Sequence, residues 1–297
     1  MVPQELILSA CSTAQASSSS TNKASSSAPA IQLHDLTTSA HVQSFKTSSN
    51  TAHSLALTYS HDGVGGTVWA VQEGKAIVGI WAWQKQHLKL HLPEKLSCLA
   101  ISPNGVWAAG GSPNGQIYLW EIASGLMLAS WNAHYRAVSS LSFTGDSTLL
   151  LSSSPDAAVH VFMVARLLDD DSSTPYGKPY GSLTDHTLAI SSLALGKTTG
   201  SSGGRCWTAA EDGTVKMWSL NAPFDLLATF VLPPGTIPSA LAVDPAERFL
   251  YVGSTAGNVY HIPLFKRKAQ IGQVEAVGGE GLGSAAIKSE MACISVE

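Results

Sequence analysis

Charge is scarce in this chain. Only 13% of its 297 residues are charged, and 17 Lys and Arg stand against 21 Asp and Glu, for a net charge of -4. That balance supplies no basic field to hold a nucleic-acid backbone, so RNA contact is expected to be indirect or weak. Cysteine is also rare. Cys11, Cys98, Cys206 and Cys293 are scattered singly, which excludes a disulfide framework or a zinc site and suits reduced thiols in the cytosol or nucleus. No apolar run approaches the roughly eighteen residues that span a bilayer. The run Leu6-Ile7-Leu8-Ser9-Ala10-Cys11 imitates a signal-peptide core, but it is short and no basic residue precedes it. Cofactor motifs are lacking too. In Gly278-Gly279-Glu280-Gly281-Leu282-Gly283 the next position is Ser284, where a dinucleotide fingerprint needs its third glycine, and no βαβ pattern surrounds it. Asp169-Asp170-Asp171 is followed by no calcium-loop spacing. Neither a cofactor nor a metal is expected.

What the chain does have is a recurring phrase: a turn, then an alternating apolar strand that often ends in an aromatic. It reads Asn114-Gly115-Gln116-Ile117-Tyr118-Leu119-Trp120 and again Asp212-Gly213-Thr214-Val215-Lys216-Met217-Trp218. Weaker copies end at Phe162 and Ile262, and two earlier ones, at His34 and Trp81, lack the tight turn. The marker positions 34, 81, 120, 162, 218 and 262 are separated by 47, 39, 42, 56 and 44 residues. A period near forty with four short strands per unit is the mark of a WD40-type β-propeller. The fold class is therefore all-β, with six recognisable repeats. Propellers of this kind serve mostly as binding platforms, so the question becomes which partner and not which reaction.

Residues 1–265 are assigned to the repeats and 266–297 to a glycine-rich tail. The serine-rich segment 12–27 is too polar to pack and is expected to be a loop. Two polar insertions, 169–179 and 197–205, account for the 56-residue interval and are expected on the rims, where loop length costs little. Trp69, Trp81, Trp83 and Trp107 are expected to pack within blades. The first repeat starts without an innermost strand, and the tail is too short for another repeat of about forty residues. The expectation is an open ring, without the blade that would close it.

Two repeats share a polar constellation. His186, Thr208, Asp212 and Trp218 occupy the fifth, and His134, Ser152, Asp156 and Phe162 the fourth, with hydroxyl and carboxylate ten and six residues before the aromatic in each. A hydroxyl, a histidine and a carboxylate also make a hydrolase triad. The structural alternative is stronger: a buried imidazole and an indole N–H need partners, and a turn aspartate supplies an acceptor. No catalytic residue is assigned. Lys266, Arg267 and Lys268 form the single basic cluster, either a solvated loop or a contact for a partner or RNA phosphates.

Beyond generic repeats, the order of motifs is more specific. Pro103-Asn104-Gly105, then Ile117 to Ile122 with Ser124-Gly125, then His134-Tyr135 leading to Phe143-Thr144-Gly145-Asp146-Ser147, then Gly213 to Trp218, resembles the Ipi-type WD-repeat subunit of the Rix complex. The resemblance runs from Leu6 to about Glu290. It implies the His–Ser/Thr–Asp–Trp network that ties the strands of such blades. It also implies a seventh repeat and a C-terminal helical tail, which the sequence does not show, so the resemblance leads to the expectation of an incomplete seven-bladed ring that lacks its C-terminal blade, as in a truncated or alternatively spliced product. Functionally it implies a non-enzymatic nuclear scaffold for maturation of the large ribosomal subunit and processing of the second internal transcribed spacer. The implied partners are a helical-repeat scaffold subunit, a smaller third subunit, the pre-60S particle and the AAA ATPase midasin. A role at replication origins has been associated with fungal members. The competing expectation is a WD-repeat adaptor of a ubiquitin ligase or of a chromatin-associated complex.

Overall fold

The computed structural model describes residues 6–10, 30–46, 51–59, 66–72, 75–82, 88–169, 177–197, 204–264 and 275–276. These form six antiparallel sheets, each a meander in which strands pair in chain order. The chain divides into two compact units, with the division in sequence after Leu99.

The first unit holds a three-stranded sheet of β1 (Leu6–Ala10), β2 (Ala30–Asp35) and β3 (His41–Lys46). Beside it in sequence is a four-stranded sheet of β4 (Thr51–Tyr59), β5 (Gly66–Gln72), β6 (Ile77–Ala82) and β7 (Leu88–His91). Leu8, Ile31, Leu33 and Phe45 pack there with Val68, Ala70 and Trp81. Alternation explains it. Side chains two apart share a sheet face, and here that face is apolar.

The remaining four sheets are of four strands each. Blade 3 comprises β8 (Cys98–Ile101), β9 (Trp107–Gly111), β10 (Gln116–Glu121) and β11 (Met127–Asn132). Blade 4 comprises β12 (Ser140–Phe143), β13 (Leu149–Ser153), β14 (Val159–Met163) and β15 (Gly181–Leu183). Blade 5 comprises β16 (Ile190–Leu195), β17 (Arg205–Ala210), β18 (Thr214–Ser219) and β19 (Leu226–Val231). The last is β20 (Pro238–Val243), β21 (Phe249–Ser254), β22 (Val259–Pro263) and the short β23 (Glu275–Ala276). In blade 3 both central strands are buried, in blade 5 β17 is buried and β18 half-buried, and in each blade the outermost strand is the exposed one. The fully buried runs, such as Ile117 to Trp120, are therefore apolar on both faces, while β11 alternates only towards its end.

Two local features set blade 4 apart. Strand β14 stops at Met163, and α1 (Val164–Leu168) follows. Val164 and Leu167 are its buried pair, a three-residue spacing that suits one helical turn and is too short a signal to read beforehand. The turn after β13 carries Ala157 at φ 66° where the better copies have Gly115 and Gly213. Among the described residues no helix is long and apolar enough to cross a membrane. Trp69 and Trp81 are buried, and Trp107 is half-buried. Cys98 and Cys206 are both buried. Trp83, segment 12–27 and most of the tail lie outside the described residues.

Candidate functional site

The two polar constellations assemble at equivalent places in blades 4 and 5. His186 lies in the loop between β15 and β16, Thr208 on β17, Asp212 in the turn after it, and Trp218 on β18. Thr208 and Trp218 stand ten apart because β17 and β18 are joined by a tight hairpin. Gly213, at φ 75°, supplies the left-handed residue that turn needs.

The hydrogen bonds run in one direction. The Trp218 indole N–H donates to Thr208 Oγ1 at 2.9 Å. Thr208 Oγ1 lies 2.8 Å from His186 Nε2, and His186 Nδ1 lies 3.0 Å from Asp212 Oδ2. Burial tends to raise the Asp212 carboxyl, but bonds from Thr214, His186 and the Thr187 amide outweigh it and hold the group below its usual range. An ionised carboxylate only accepts, so His186 Nδ1 carries the proton and Nε2 accepts from the threonine hydroxyl. Burial outweighs Asp212 at the imidazole, lowering the His186 pKa and keeping the ring neutral. Every polar atom of the chain Trp218–Thr208–His186–Asp212 is thus satisfied. Asp212 Oδ1 accepts in addition from the Thr214 amide (2.9 Å) and hydroxyl (2.6 Å), which fixes the turn.

Blade 4 repeats the arrangement with one member changed. His134 Nδ1 is 2.9 Å from Asp156 Oδ2, and Nε2 is 2.8 Å from Ser152 Oγ. Phe162 has no N–H to give, so it joins through ring contacts alone, with Trp131 at 5.2 Å and His160 at 6.3 Å. His160, which sequence reasoning missed, stacks on His134 at 4.6 Å and reaches Ser182 Oγ at 2.8 Å. Its signal was register. His160 pairs across the strands with Ser152 as Lys216 does with Thr208. Burial pushes the His160 pKa down to about 4; the His134 ring adds to this and Asp156 opposes it.

The His134 loop is also held from the other side. The amides of Ala133 and His134 both donate to the Gly115 carbonyl of blade 3, at 3.0 and 3.1 Å. A side chain at Gly115 would meet the carbonyls of His134 and Arg136, so only glycine fits. In blade 3 itself Gly110 stands where Ser152 and Thr208 stand, paired with Tyr118, and Trp120 stacks on Tyr118 at 5.8 Å.

The contacts within blade 4 follow the order of a catalytic triad: carboxylate, imidazole, hydroxyl. Access differs. Ser152 and Thr208 are both 0% exposed, so neither hydroxyl can be reached by a substrate. Among the described residues no group of three or more His, Cys, Asp or Glu could hold a metal ion. Lys266, Arg267 and Lys268 lie outside the described residues.

The chain carries WD40 repeats: the family described as "WD domain, G-beta repeat" matches residues 83–121, 125–162 and 177–219. Over most of its length the chain is similar to proteins named Pre-rRNA-processing protein IPI3. It is 33% identical to that of Yarrowia lipolytica over 260 residues, covering 85% of this chain and 58% of the relative. Against the Mycosarcoma maydis protein it is 38% identical over 220 residues, 69% of this chain and 37% of the relative. The Schizosaccharomyces pombe protein, Pre-rRNA-processing protein crb3/ipi3, is 30% identical over 299 residues, 93% of this chain and 62% of the relative. The chain thus spans between 37% and 62% of the length of these relatives.

Proposed function

We propose that the chain is a non-catalytic WD-repeat platform in maturation of the large ribosomal subunit, acting in the nucleus on particles that still carry the second internal transcribed spacer. The observation that carries this reading is the similarity to proteins named for pre-rRNA processing across 85% of the chain. The geometry supports a platform over an enzyme. Among the described residues, both triad-like arrangements have their hydroxyls buried, and their atoms are spent on joining loop to turn. The partners proposed are a helical-repeat scaffold subunit and a smaller third subunit of a Rix-type complex, and through them the pre-60S particle and midasin. With a net charge of -4, contact with RNA runs through these proteins and not through bulk electrostatics.

The test is purification of the tagged full chain from nuclear extract, with RNA and protein read together. The reading expects spacer-containing pre-rRNA and large-subunit proteins in the same particle. Recovery of a cullin and its adaptor, with no pre-rRNA, would refute it in favour of a ubiquitin-ligase adaptor.

A further inference from the structure

Blades 4 and 5 enclose a cleft of about 340 Å³ on the side of the β12–β13 turn. Leu149, Met163, Tyr180 and Leu220 give it an apolar wall, and Asp146 stands among its lining residues. Asp146 is exposed, Leu220 is buried, and the other three wall residues are half-buried.

The charge on Asp146 is more than its turn requires. Asp146 Oδ1 accepts from Thr144 Oγ1 at 2.6 Å and from the Thr148 amide at 3.1 Å. In blade 3 the equivalent turn is built the same way with a neutral amide. Asn104 Oδ1 accepts from Ser102 Oγ at 2.6 Å and from the Val106 amide at 3.0 Å. A side-chain oxygen is what closes this turn, and a carboxamide supplies it as well as a carboxylate. Burial tends to raise Asp146, but the bonds from Thr144 and Thr148 outweigh it and keep the group ionised. All the bonds from those threonines fall on Oδ1, which among the described residues leaves Oδ2 for a donor brought by a ligand. The nearby cation, Arg166 on α1, lies over the Tyr180 ring at 4.9 Å and forms no ion pair with Asp146 among the described residues.

From the surplus carboxylate and the apolar wall we infer that this cleft is a docking site for a basic side chain, arginine or lysine, of a partner protein. Its aliphatic stem lies along Leu149, Met163 and Leu220, and its cationic head pairs with Asp146. Charge complementarity selects the occupant. An apolar side chain would bury the cleft wall but leave an ionised carboxylate without a partner, and an acidic one would be repelled. This inference is independent of the ribosomal reading, because it requires only a protein partner.

The test uses the full chain with methyl-labelled methionine and leucine, titrated with N-acetyl-arginine amide and, separately, with uncharged N-acetyl-norleucine amide. A single side chain binds weakly, with Kd on the order of millimolar. The expected result is saturable shifts at the Met163, Leu149 and Leu220 methyls with the arginine probe, weakened by salt. In Asp146→Asn, which blade 3 shows to be compatible with the turn, affinity for that probe falls by about tenfold. The norleucine probe is unaffected by the substitution. Equal binding of both probes, or no change in Asp146→Asn, overturns the inference. So does thermal coupling between Asp146→Asn and Arg166→Ala in the free protein, which would mean that Arg166 already fills the role.

Discussion

Thr208→Val is the most discriminating single perturbation of blade 5. Valine has nearly the shape of threonine, so packing changes little and the loss is confined to the hydroxyl. That hydroxyl accepts from Trp218 Nε1 and donates to His186 Nε2, at 2.9 and 2.8 Å. Removing it strands two buried polar atoms, each costing about 1–3 kcal/mol. A total near 2–5 kcal/mol follows once the better burial of a methyl group is allowed for. For a chain of this size each kcal/mol moves Tm by roughly 2–4 °C, so calorimetry should show a fall of about 4–20 °C. Two comparisons isolate the cause. In a Trp218→Phe background the same change strands only His186, and its cost should halve. Ser152→Ala in blade 4 likewise strands only His134, because Phe162 donates nothing there, and it should cost about 1–3 kcal/mol. A Thr208→Val protein with an unchanged melting temperature, or the same loss with and without the Trp218 indole, would refute the one-way chain of donors.

Ala157→Gly should stabilise blade 4 by about 0.5–1 kcal/mol in urea denaturation, since a left-handed φ of 66° strains alanine and not glycine. Gly115→Ala should destabilise by more than about 2 kcal/mol, because its Cβ meets backbone carbonyls that cannot rotate away; a neutral melt would count against the loop geometry. Stability should also fall with acid. His160 and His186 both have lowered folded pKa values, so the unfolded chain binds protons that the folded chain refuses once pH drops below about 6.5. The Tm should be flat above about pH 7 and decline as pH falls from 6.5 towards 4, with His160 contributing on the order of 2 kcal/mol after allowance for its partial exposure. His160→Gln should flatten that decline, and an unchanged slope would remove His160 from the account.

Periodicity made the blades legible because each repeats the same local rule, a tight turn followed by two-residue alternation, and no distant information is needed to see it. The pairs His134–Asp156 and His186–Asp212 were legible for a related reason: equal offsets in two repeats place equivalent atoms at equivalent points. What escaped was whatever depends on register or on a single turn. His160 becomes a neighbour of His134 only through the pairing of β13 with β14. The helix α1 rests on one pair of buried residues, too few to generate a period. The surplus charge on Asp146 is visible only when its turn is laid beside the neutral one at Asn104.

The loop bearing His134 has a consequence for how this part of the chain opens. Its backbone is bound to Gly115 in one blade and its imidazole to Asp156 and Ser152 in the next. Repeat proteins ordinarily fray unit by unit, each boundary yielding at its own free energy. Here neither blade can release the loop without breaking the hold of the other, so the two share one opening event. Hydrogen exchange at the Ala133 and His134 amides would then report the stability of the joined pair, slower than the exchange of amides held by either blade alone.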